Sequence, residues 1–465
     1  MTSRAIRTIA VVGNGIAGWS AAAALKKRVP GISVALVPVA DLKPGLADLC
    51  ASAAPSIGDF HSDIGLSERD IVRRTGAAFR LGSRYQDWHG PGSGFFHAYG
   101  PAGFAQGQLP FAALWLRAGS PRPYQDYAPG AVLAEQGRFL PGGTDLPGDY
   151  AHGLMLDLHV YPRFLAAYAR HLDVLVSEGT LAGMDVSDGR VTGLRLSDGS
   201  TLRADMYVDA SNVAASLMRA LADPDWQDWR QWLPADTLER SRTAPDPGLP
   251  PFDRVRAISN GWEATISLPA CTETLRVTAK PGDAGASAVR FASGRRAQAW
   301  SGNVVAIGDA YAVIEPLEGA PLHLLHSQID RLVGSLPDRD FDAIELAQYN
   351  RETGEEADRV RDFLIAHYVL SGRCDAAPPL LAETLALFAH RGRLPMRDGE
   401  SFDKHSWLAL LFGHGTVPAH ADPLAVALDT GEAQRALADH RLHLEQGAAK
   451  APAHSAYLKS LEASA

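Results

Sequence analysis

A glycine-rich segment near the start of the chain has the spacing of a phosphate-binding turn. It reads Gly13-Asn14-Gly15-Ile16-Ala17-Gly18 and lies between an apolar run at Thr8–Val12 and an alanine-rich run at Ser20–Leu25. The first run is typical of a buried strand and the second of a helix, and Ile32–Val37 is typical of a second strand. Glycines let the backbone approach a pyrophosphate, and the helix N-terminus offers it free N–H groups. The segment therefore predicts a dinucleotide site.

Two acidic residues at the ends of later apolar runs could belong to the same site. Asp209 follows Met206–Val208, and Asp309 lies in Gly308-Asp309-Ala310 directly after Asn303–Ile307. A carboxylate at such a position can accept hydrogen bonds from sugar-like hydroxyl groups. Together with the glycine turn, these residues resemble the layout of the flavin-dependent monooxygenases. The resemblance implies that the turn holds the ADP part of FAD, that Asp209 lies near the nucleotide and that Gly308-Asp309 binds the ribitol chain.

The elements expected to position these residues are those of an α/β protein. Turn signals beside apolar runs predict hairpins within residues 184–199, and the Pro-, Asp- and Arg-rich stretch 234–251 predicts a loop or linker. Residues 322–370 are mostly helical by period, and the remainder is helical with Pro and Gly interruptions. The sequence shows no internal repeat.

Composition excludes several classes of protein. The 465 residues are 46% apolar and 21% charged, which is normal for a folded globular chain, and the net charge is −9. That charge disfavours nucleic acid and anionic membrane as partners, and no apolar run is long enough to span a bilayer. Cys50, Cys271 and Cys374 have no paired spacing, so we expect no metal site, no disulfide framework and a cytoplasmic location.

Beyond these single motifs, several segments resemble the flavin-dependent tryptophan halogenases, in the same order along nearly the whole chain. The segments that carry this resemblance are Gly18-Trp19, Ala77-Ala78-Phe79-Arg80-Leu81-Gly82 with Trp88, Phe95-Phe96-His97-Ala98-Tyr99-Gly100, Trp300 with Asn303–Gly308, Glu315-Pro316-Leu317-Glu318, Arg361-Asp362-Phe363 with His367-Tyr368, and Ser406-Trp407 with Gly413, Gly415 and Pro418.

The resemblance implies an α/β fold in which an FAD-binding Rossmann-like (GxGxxG) box carries an inserted β-sheet substrate layer and a helical C-terminal cap. The box is expected at 1–330, with the substrate-sheet segments inserted at about 89–165 and 235–300, and the cap at 331–465. The residues implied to bind the cofactor are Gly13, Gly15, Ile16, Ala17, Gly18, Asp209, Gly308, Asp309, Pro316 and Leu317.

The resemblance also implies an oxidative chemistry. In the halogenases, reduced FAD and O₂ give a flavin hydroperoxide that oxidises a halide, and a Lys and a Glu then direct hypohalous acid to an aromatic ring. The Glu is matched by Glu318, but the Lys is matched by Arg80, whose guanidinium stays protonated and is a poor nucleophile. We predict both residues as catalytic. The alternatives are that Glu318 only stabilises a helix start and that Arg80 is a surface or ion-pair residue.

The remaining site residues implied by the resemblance bind halide and substrate. Chloride or bromide would bind at Gly319 and Ala320, although Pro321 lacks the N–H group of the next position. The aromatic substrate, possibly an indole, would be sandwiched by His97 and Tyr99 and contacted by Phe96. The alternative for His97 is a hydrogen-bonded core histidine.

Several departures from the family pattern favour monooxygenation over halogenation. The signature of two tryptophans followed by Ile-Pro is reduced to Trp262 with Ala264, and Gly308-Asp309-Ala310 is closer to the aromatic hydroxylases. The flavin-contacting glycine–glutamate loop is matched only by Pro55–Phe60, and Pro38 replaces the expected ribose-binding acid. We therefore expect an FAD-dependent enzyme that oxidises an aromatic small molecule or peptide, with oxygen insertion preferred. The alternatives are a genuine halogenase and a non-catalytic flavin- or substrate-binding homologue.

The single glycine-rich unit also bears on partners. Because no second unit of this kind is visible for a nicotinamide cofactor, we expect a separate flavin reductase to supply reduced FAD. A homodimer is a possible state, and neither nucleic acid nor a membrane is expected as a partner.

Overall fold

The computed structural model describes residues 5–141, 146, 148–221, 225–279, 288–395 and 397–463. Within them the chain divides into two compact units, each made of three stretches. The first unit takes Met1–Gly76, Leu156–Glu239 and Thr278–Asp358. The second takes Ala77–Met155, Arg240–Val277 and Arg359–Ala465.

The strands of the described residues are numbered here in chain order. They are β1 (Thr8–Val12), β2 (Ser33–Val37), β3 (Ser52–Ala53), β4 (Ala78–Arg80), β5 (Gly82–Gln86), β6 (Gly94–Ala98), β7 (Gly153–Met155), β8 (Leu175–Val176), β9 (Leu181–Ser187), β10 (Arg190–Leu196), β11 (Thr201–Leu202), β12 (Met206–Asp209), β13 (Trp226–Asp228), β14 (Thr237–Thr243), β15 (Asp253–Ile258), β16 (Gly261–Ser267), β17 (Thr272–Thr278), β18 (Val289–Arg290), β19 (Gly294–Arg296), β20 (Trp300–Ser301), β21 (Val304–Ala306) and β22 (Ala312–Val313).

The helices are numbered in the same way. They are α1 (Ile16–Arg28), α2 (Leu46–Leu49), α3 (Ser56–Asp63), α4 (Glu68–Thr75), α5 (Phe111–Arg117), α6 (Pro129–Glu135), α7 (Tyr161–His171), α8 (Met218–Leu221), α9 (Ala320–Gly334), α10 (Ala343–Leu370), α11 (Pro379–Arg391), α12 (Lys404–Gly413), α13 (Pro423–Val426), α14 (Thr430–Lys450) and α15 (His454–Ala463), with short 3₁₀ helices at Tyr124–Tyr127, Asn212–Ala214, Gly308–Ala310 and Leu317–Gly319.

The first unit is built on a six-stranded sheet of order β20-β21-β12-β1-β2-β8, in which all neighbours are parallel except β20 and β21. The register pairs Val12 with Asp209 and Asp209 with Ala306. Three strands therefore end at the same level, and this alignment brings the glycine turn, Asp209 and Gly308–Ala310 to one edge of the sheet. Helix α1 is buried from Ile16 to Leu25 and packs on α7 and α9.

Two smaller sheets complete the first unit. Strands β9, β10 and β11 form an antiparallel meander, as the hairpin signals predicted, with the order β11-β10-β9. Strands β13, β19 and β22 form a second antiparallel sheet of order β13-β19-β22. This second sheet joins the chain that follows α8 to the chain that follows Gly308–Ala310.

The second unit holds most of a seven-stranded sheet of order β18-β14-β17-β16-β15-β5-β6. Strand β5 pairs in parallel with β15 and antiparallel with the edge strand β6. In this register Ser83 stands opposite His97 on one side and Asp253 on the other. The helices α12 and α14 belong to this unit, where α12 packs on β6 and α14 packs on α5 and α6.

Two local predictions were wrong. The stretch 234–251, predicted as a loop or linker, contains the strand β14. This strand is buried at its start and exposed at its end, so its polar residues lie on the solvent side of a strand. Pro55–Phe60 is no loop, because α3 begins directly after Pro55 and buries Ile57, Phe60 and His61 on one face.

The predicted domain boundaries at 330 and 331 stay a prediction. In the structure residues 359–465 group with 77–155 and 240–277, and α10 runs through the point where the first unit ends and the second resumes.

Candidate active site

The glycine turn after β1 is closed by backbone contacts that exclude side chains. Gly13 has a φ of +132°, and a Cβ there would stand 2.2 Å from the carbonyl oxygen of Ala210. A Cβ on Gly18 would stand 2.0 Å from the carbonyl oxygen of Gly13. Real Cβ atoms do not approach so closely, so only glycine allows β1 and α1 to be joined this tightly. Gly15 caps α1, and Ile16 and Ala17 form its buried first turn.

Asp209 is occupied by donors from its own chain. One carboxylate oxygen accepts hydrogen bonds from the N–H (3.1 Å) and hydroxyl (2.5 Å) of Ser211, and the other accepts from the N–H groups of Leu217 (2.8 Å) and Met218 (2.9 Å). Because a carboxylate has about four acceptor sites, these bonds use them all. These bonds order the turn before α8, and the predicted position of Asp209 beside a nucleotide stays a prediction.

Asp309 lies beside a cavity of about 710 Å³ within the first unit. Its carboxylate accepts a hydrogen bond of 2.7 Å from the N–H of Leu46. Burial raises the pKa of Asp309 to about 7; the Leu46 bond lowers it and the nearby Asp48 carboxylate raises it. The preceding Gly308 has a φ of +55° and donates its N–H to the Gln328 side chain at 2.7 Å. Arg296, Trp226 and Phe291 also line the cavity, which is large enough for a fused ring system.

Asp48 is a site residue that the sequence patterns missed. Its Oδ1 accepts the N–H of Ile16, the first residue of α1, at 2.6 Å. Its Oδ2 accepts the N–H of Gly45 at 2.9 Å and a side-chain N–H of Asn212 at 3.1 Å. Burial raises the pKa of Asp48, while the bonds from Ile16, Gly45 and Asn212 lower it. Only the position of Asp48 at the start of the four-residue helix α2 could have drawn attention to it.

These residues fit a flavin dinucleotide in most respects. The glycine turn leaves the backbone open to a pyrophosphate, and the cavity beside Asp309 can take the ring system. The one group that competes with this ligand is Asp48, whose carboxylate already accepts a hydrogen bond from the first N–H of α1.

Glu318 lies in a strained turn that leads into α9. The 3₁₀ helix Leu317–Gly319 contains Glu318 with a φ of +58° and a ψ of 11°, which is the left-handed region. Such a conformation costs a non-glycine residue about 1–3 kcal/mol and is concentrated at functional sites. The side chain is buried, as are Leu317 and the adjacent Glu315. Pro316 caps the 3₁₀ helix without a side-chain hydrogen bond.

The predicted halide position follows Glu318. Gly319 has a φ of +77°, and a Cβ there would stand 2.8 Å from the Ser52 carbonyl oxygen, so glycine is required. Ala320 continues in right-handed helical geometry, and its N–H donates to the carbonyl oxygen of Leu317. The Ala320 N–H already has an acceptor and Pro321 has no N–H, so neither backbone position readily donates a hydrogen bond to a halide. The halide role of Gly319 and Ala320 stays a prediction.

Arg80 is the centre of a buried polar network in the second unit. Its Nε forms an ion pair with Asp253 Oδ1 at 3.0 Å, and one Nη donates to the Ser83 hydroxyl at 2.6 Å. The other Nη donates to the hydroxyl of Tyr99, and Ser83 donates to Asp253 at 2.7 Å. A buried guanidinium needs a carboxylate partner, and Asp253 fills this need from the strand next to β5. This geometry favours the ion-pair alternative for Arg80, and its catalytic role stays a prediction.

The three predicted substrate residues do not share one surface. Side chains alternate along a strand, so Phe96 and His97 point to opposite faces of β6. Phe96 accordingly packs edge-on against Phe252, with ring centroids 5.5 Å apart. The centroids of His97 and Tyr99 are only 5.9 Å apart, with planes at 61°. Two rings that enclose a third are parallel and roughly 7–8 Å apart, twice a carbon contact, so His97 and Tyr99 do not have that spacing here. The substrate-binding role of Phe96, His97 and Tyr99 stays a prediction.

The side of β6 that carries His97 belongs to an aromatic cluster formed by His97, Phe363, Phe402 and Trp407. Phe363 lies 5.8 Å from His97, stacks on Phe402 at 3.8 Å and meets Trp407 edge-on at 5.0 Å between ring centroids. Trp407 also lines a cavity of about 470 Å³, with Leu394, Pro395 and several charged residues. Trp407 thus both packs in the cluster and faces a pocket.

Neither a membrane nor a metal centre is indicated by the part of the chain that the structure describes. No helix there is long and apolar enough to cross a bilayer. No three histidine, cysteine or acidic side chains there are grouped in a way that could hold a metal ion.

Comparison with known proteins agrees with this architecture. The tryptophan halogenase family model matches residues 8–430. Tryptophan 6-halogenase SttH from Streptomyces toxytricini is 26% identical over 501 aligned residues, which cover 94% of this chain and 94% of that protein.

Solved structures give the same result. BrvH, a flavin-dependent halogenase from Brevundimonas sp. BAL3, is 31% identical with a TM-score of 0.92, over 99% of this chain and 100% of that one. Xcc4156, a flavin-dependent halogenase from Xanthomonas campestris, is 28% identical with a TM-score of 0.91, over 98% of both chains. The predicted α/β fold with an FAD-binding Rossmann-like box is confirmed, as is the assignment to a class of flavin-dependent oxidoreductase enzymes. The chain belongs to the tryptophan halogenase family.

Proposed function

We propose that this chain is a flavin-dependent halogenase that acts on an electron-rich aromatic compound. The observation that carries the proposal is the buried, strained turn at Glu318, in a chain that is similar to flavin-dependent halogenases over its whole length. The sequence patterns alone preferred oxygen insertion. The relatives favour the alternative, because those compared above are all described as halogenases.

The first unit would hold the flavin. Gly13, Gly15 and Gly18 would face the pyrophosphate, and Asp309 would face the polar chain next to the ring system. When bound in its reduced form, the flavin supplies the reducing equivalents with which O₂ becomes an oxidant for chloride or bromide. The buried surroundings of Asp309 would keep bulk water away from that reaction.

Glu318 would act on the aromatic ring. When a ring carbon gains a halogen, its C–H bond must break and the proton must leave. A buried carboxylate can accept that proton, which typically contributes 10²–10⁴-fold to a rate. The left-handed backbone at Glu318 fixes the direction of the side chain. Glycine would adopt this conformation more easily, but it would lack the carboxylate.

The second unit would hold the substrate. The pocket of about 470 Å³ beside Trp407 offers an indole face, and Arg397, Glu400, Asp403 and Lys404 lie around it. Such a pocket suits an aromatic ring that carries polar or charged groups, as an amino acid or a peptide side chain would. Burial raises the pKa of Glu400, while its contact with the Trp407 indole N–H lowers it.

Monooxygenation is the second candidate, and Arg80 favours it. A guanidinium held by Asp253, Ser83 and Tyr99 is a poor nucleophile and would not form a covalent adduct with an electrophilic halogen. The Ala320 N–H donates to the Leu317 carbonyl oxygen, which weakens a halide site and therefore also favours monooxygenation.

The proposal includes a separate flavin reductase. The sequence contains a single glycine-rich strand–turn–helix unit, which the proposed flavin would occupy, so reducing equivalents from a nicotinamide cofactor would have to enter through another protein.

Product mass tests the proposal. The protein would be incubated with FAD, a flavin reductase with its nicotinamide donor, O₂ and bromide, together with tryptophan, indole or a tryptophan-containing peptide. We expect a product with the paired isotope pattern of bromine. Products that contain added oxygen alone would establish the second candidate, and unchanged substrates across a broad aromatic panel would contradict both.

A further inference from the structure

The N-terminus of α1 is met by a carboxylate from the same chain. Asp48 Oδ1 lies 2.6 Å from the backbone nitrogen of Ile16. A Cβ on Gly15 would stand 2.8 and 2.9 Å from the two carboxylate oxygens. Gly15 therefore leaves room for the Asp48 side chain, in the place where a dinucleotide motif leaves room for a pyrophosphate.

The contact is part of a larger closure by residues 43–48, called here the closing segment. Asn212 donates from its side-chain nitrogen to the Lys43 carbonyl oxygen at 3.0 Å and to Asp48 at 3.1 Å. Leu46 donates its N–H to Asp309 at 2.7 Å. The closing segment thus occupies two groups at once, the helix N-terminus and Asp309, that the proposed cofactor would need.

Two anions compete for one site under these conditions. The N-terminus of a helix attracts either a carboxylate or a phosphate, and each asks for the same first N–H groups. The two negative charges would also repel each other in a buried setting, where electrostatic interactions are stronger than in water. Burial already raises the pKa of Asp48, which shows that its charge is costly in this place even without a second anion.

We propose that Asp48 is an internal competitor of the cofactor pyrophosphate, so that the closing segment must leave the helix N-terminus before a flavin dinucleotide binds. The inference rests on the proposed function in so far as the ligand is a flavin dinucleotide. When only a fraction of molecules is open, the apparent dissociation constant is the intrinsic one divided by that fraction. Asp48 therefore lowers the affinity of this chain for FAD and for any ligand that carries the same pyrophosphate.

Titration of the full-length protein with FAD and, separately, with ADP tests the inference. Asp48→Ala removes the competing charge, and Glu345→Ala is the matched control because Glu345 is an exposed acid in the first turn of α10 in the same unit. We expect Asp48→Ala to lower the dissociation constants of both ligands at least tenfold, and the control to leave them unchanged. If Asp48 only caps α2, Asp48→Ala should bind FAD and ADP with equal or weaker affinity than the unmodified protein.

Hydrogen exchange of the unmodified protein gives a second readout that does not depend on the folding of a variant. In the closed state the amide of Ile16 donates to Asp48 and the amide of Leu46 donates to Asp309. On addition of FAD, Leu46 should exchange faster, because it moves away from Asp309, whereas Ile16 should stay protected by its new partner. FAD binding with unchanged exchange at Leu46 and equal affinities in all variants would overturn the inference alone. Absence of FAD and ADP binding in every variant would overturn the proposed function with it.

Discussion

The glycine turn of the first unit and the Arg80 network of the second unit are both buried, yet different interactions hold them. The turn depends on a close approach of backbone atoms that only glycine permits. A Cβ added at Gly18 would stand 2.0 Å from the Gly13 carbonyl oxygen. The Arg80 network depends on charge, because Asp253 and Arg80 compensate each other at 3.0 Å. The first arrangement resists any change of residue, whereas the second resists only changes that leave one charge alone.

The same contrast applies to the two proposed roles. All three glycines of the motif are present, so the backbone geometry proposed to hold a flavin is intact. Arg80, which the family resemblance matches to a catalytic lysine, is paired with Asp253. The proposed flavin site therefore depends on backbone geometry, whereas any role of Arg80 depends on charge balance.

The largest effect is expected at the glycine turn. Gly18→Ala forces a Cβ against the Gly13 carbonyl oxygen, so FAD binding should weaken at least about 100-fold, or the turn should fail to form. Gly334→Ala is the matched control, since a Cβ at this end of α9 meets nothing within 4 Å, and it should leave FAD affinity unchanged. FAD titration with circular dichroism as a folding check measures both. Equal affinities in the two variants would show that the turn does not hold the cofactor.

The next effect concerns Glu318. Glu318→Gln should lower turnover about 10²–10⁴-fold while FAD affinity stays the same, because the amide cannot accept the ring proton. Glu318→Gly should lose turnover as well but raise the free energy of unfolding by about 1 kcal/mol, since glycine adopts a φ of +58° without strain. Steady-state kinetics and urea denaturation separate the two quantities. A glycine variant that is less stable than the parent would remove the argument from strain.

The Arg80 network should respond in stability. Asp253→Asn leaves a buried guanidinium without its carboxylate and should cost about 3–5 kcal/mol in the free energy of unfolding. A second substitution, Arg80→Met, should recover much of that loss in the double variant. Asp246→Asn is the control, since its partner Arg254 is 38% exposed, and it should change stability by less than about 1 kcal/mol. Additive effects of Asp253→Asn and Arg80→Met would contradict the coupling.

The smallest effect is a pH dependence from Asp309. Burial raises its pKa from 3.8 to about 7, so between about pH 4 and pH 7 the folded chain keeps a proton that the unfolded chain has released. The free energy of unfolding should therefore fall as the pH rises through this window, by an amount on the order of a few kcal/mol. Asp309→Asn should remove this part of the slope in flavin-free protein. Parallel stability curves for the two proteins would show that Asp309 does not titrate in this range.

The parts of the fold that the sequence predicted are those determined by neighbours in the chain. The strands Thr8–Val12 and Met206–Asp209, the helix after Gly15 and the meander β9–β11 follow from periodicity and turn residues within short windows. The turn at Gly13–Gly18 was predicted for the same reason, because its conformation requires glycine whatever lies around it.

The parts that the sequence did not predict depend on partners far along the chain. Asp253 is 173 positions from Arg80, and Asn212 is 164 positions from Asp48. No local pattern links such pairs, and only the pairing of β5 with β15 brings Asp253 beside Arg80. The separation of Phe96 from His97 has a different origin. Once Gly94–Ala98 is recognised as a strand, alternation already separates Phe96 from His97.

A single turnover experiment with isotopic labelling distinguishes halogenation from oxygen insertion. The protein would turn over an indole-type substrate with reduced FAD, bromide and O₂ labelled with heavy oxygen, and the product would be analysed by mass spectrometry. We expect a product that contains bromine and no heavy oxygen, in amounts that fall at least about 100-fold in Glu318→Gln. A product that contains heavy oxygen and no bromine, or bromination unaffected by Glu318→Gln, would contradict it.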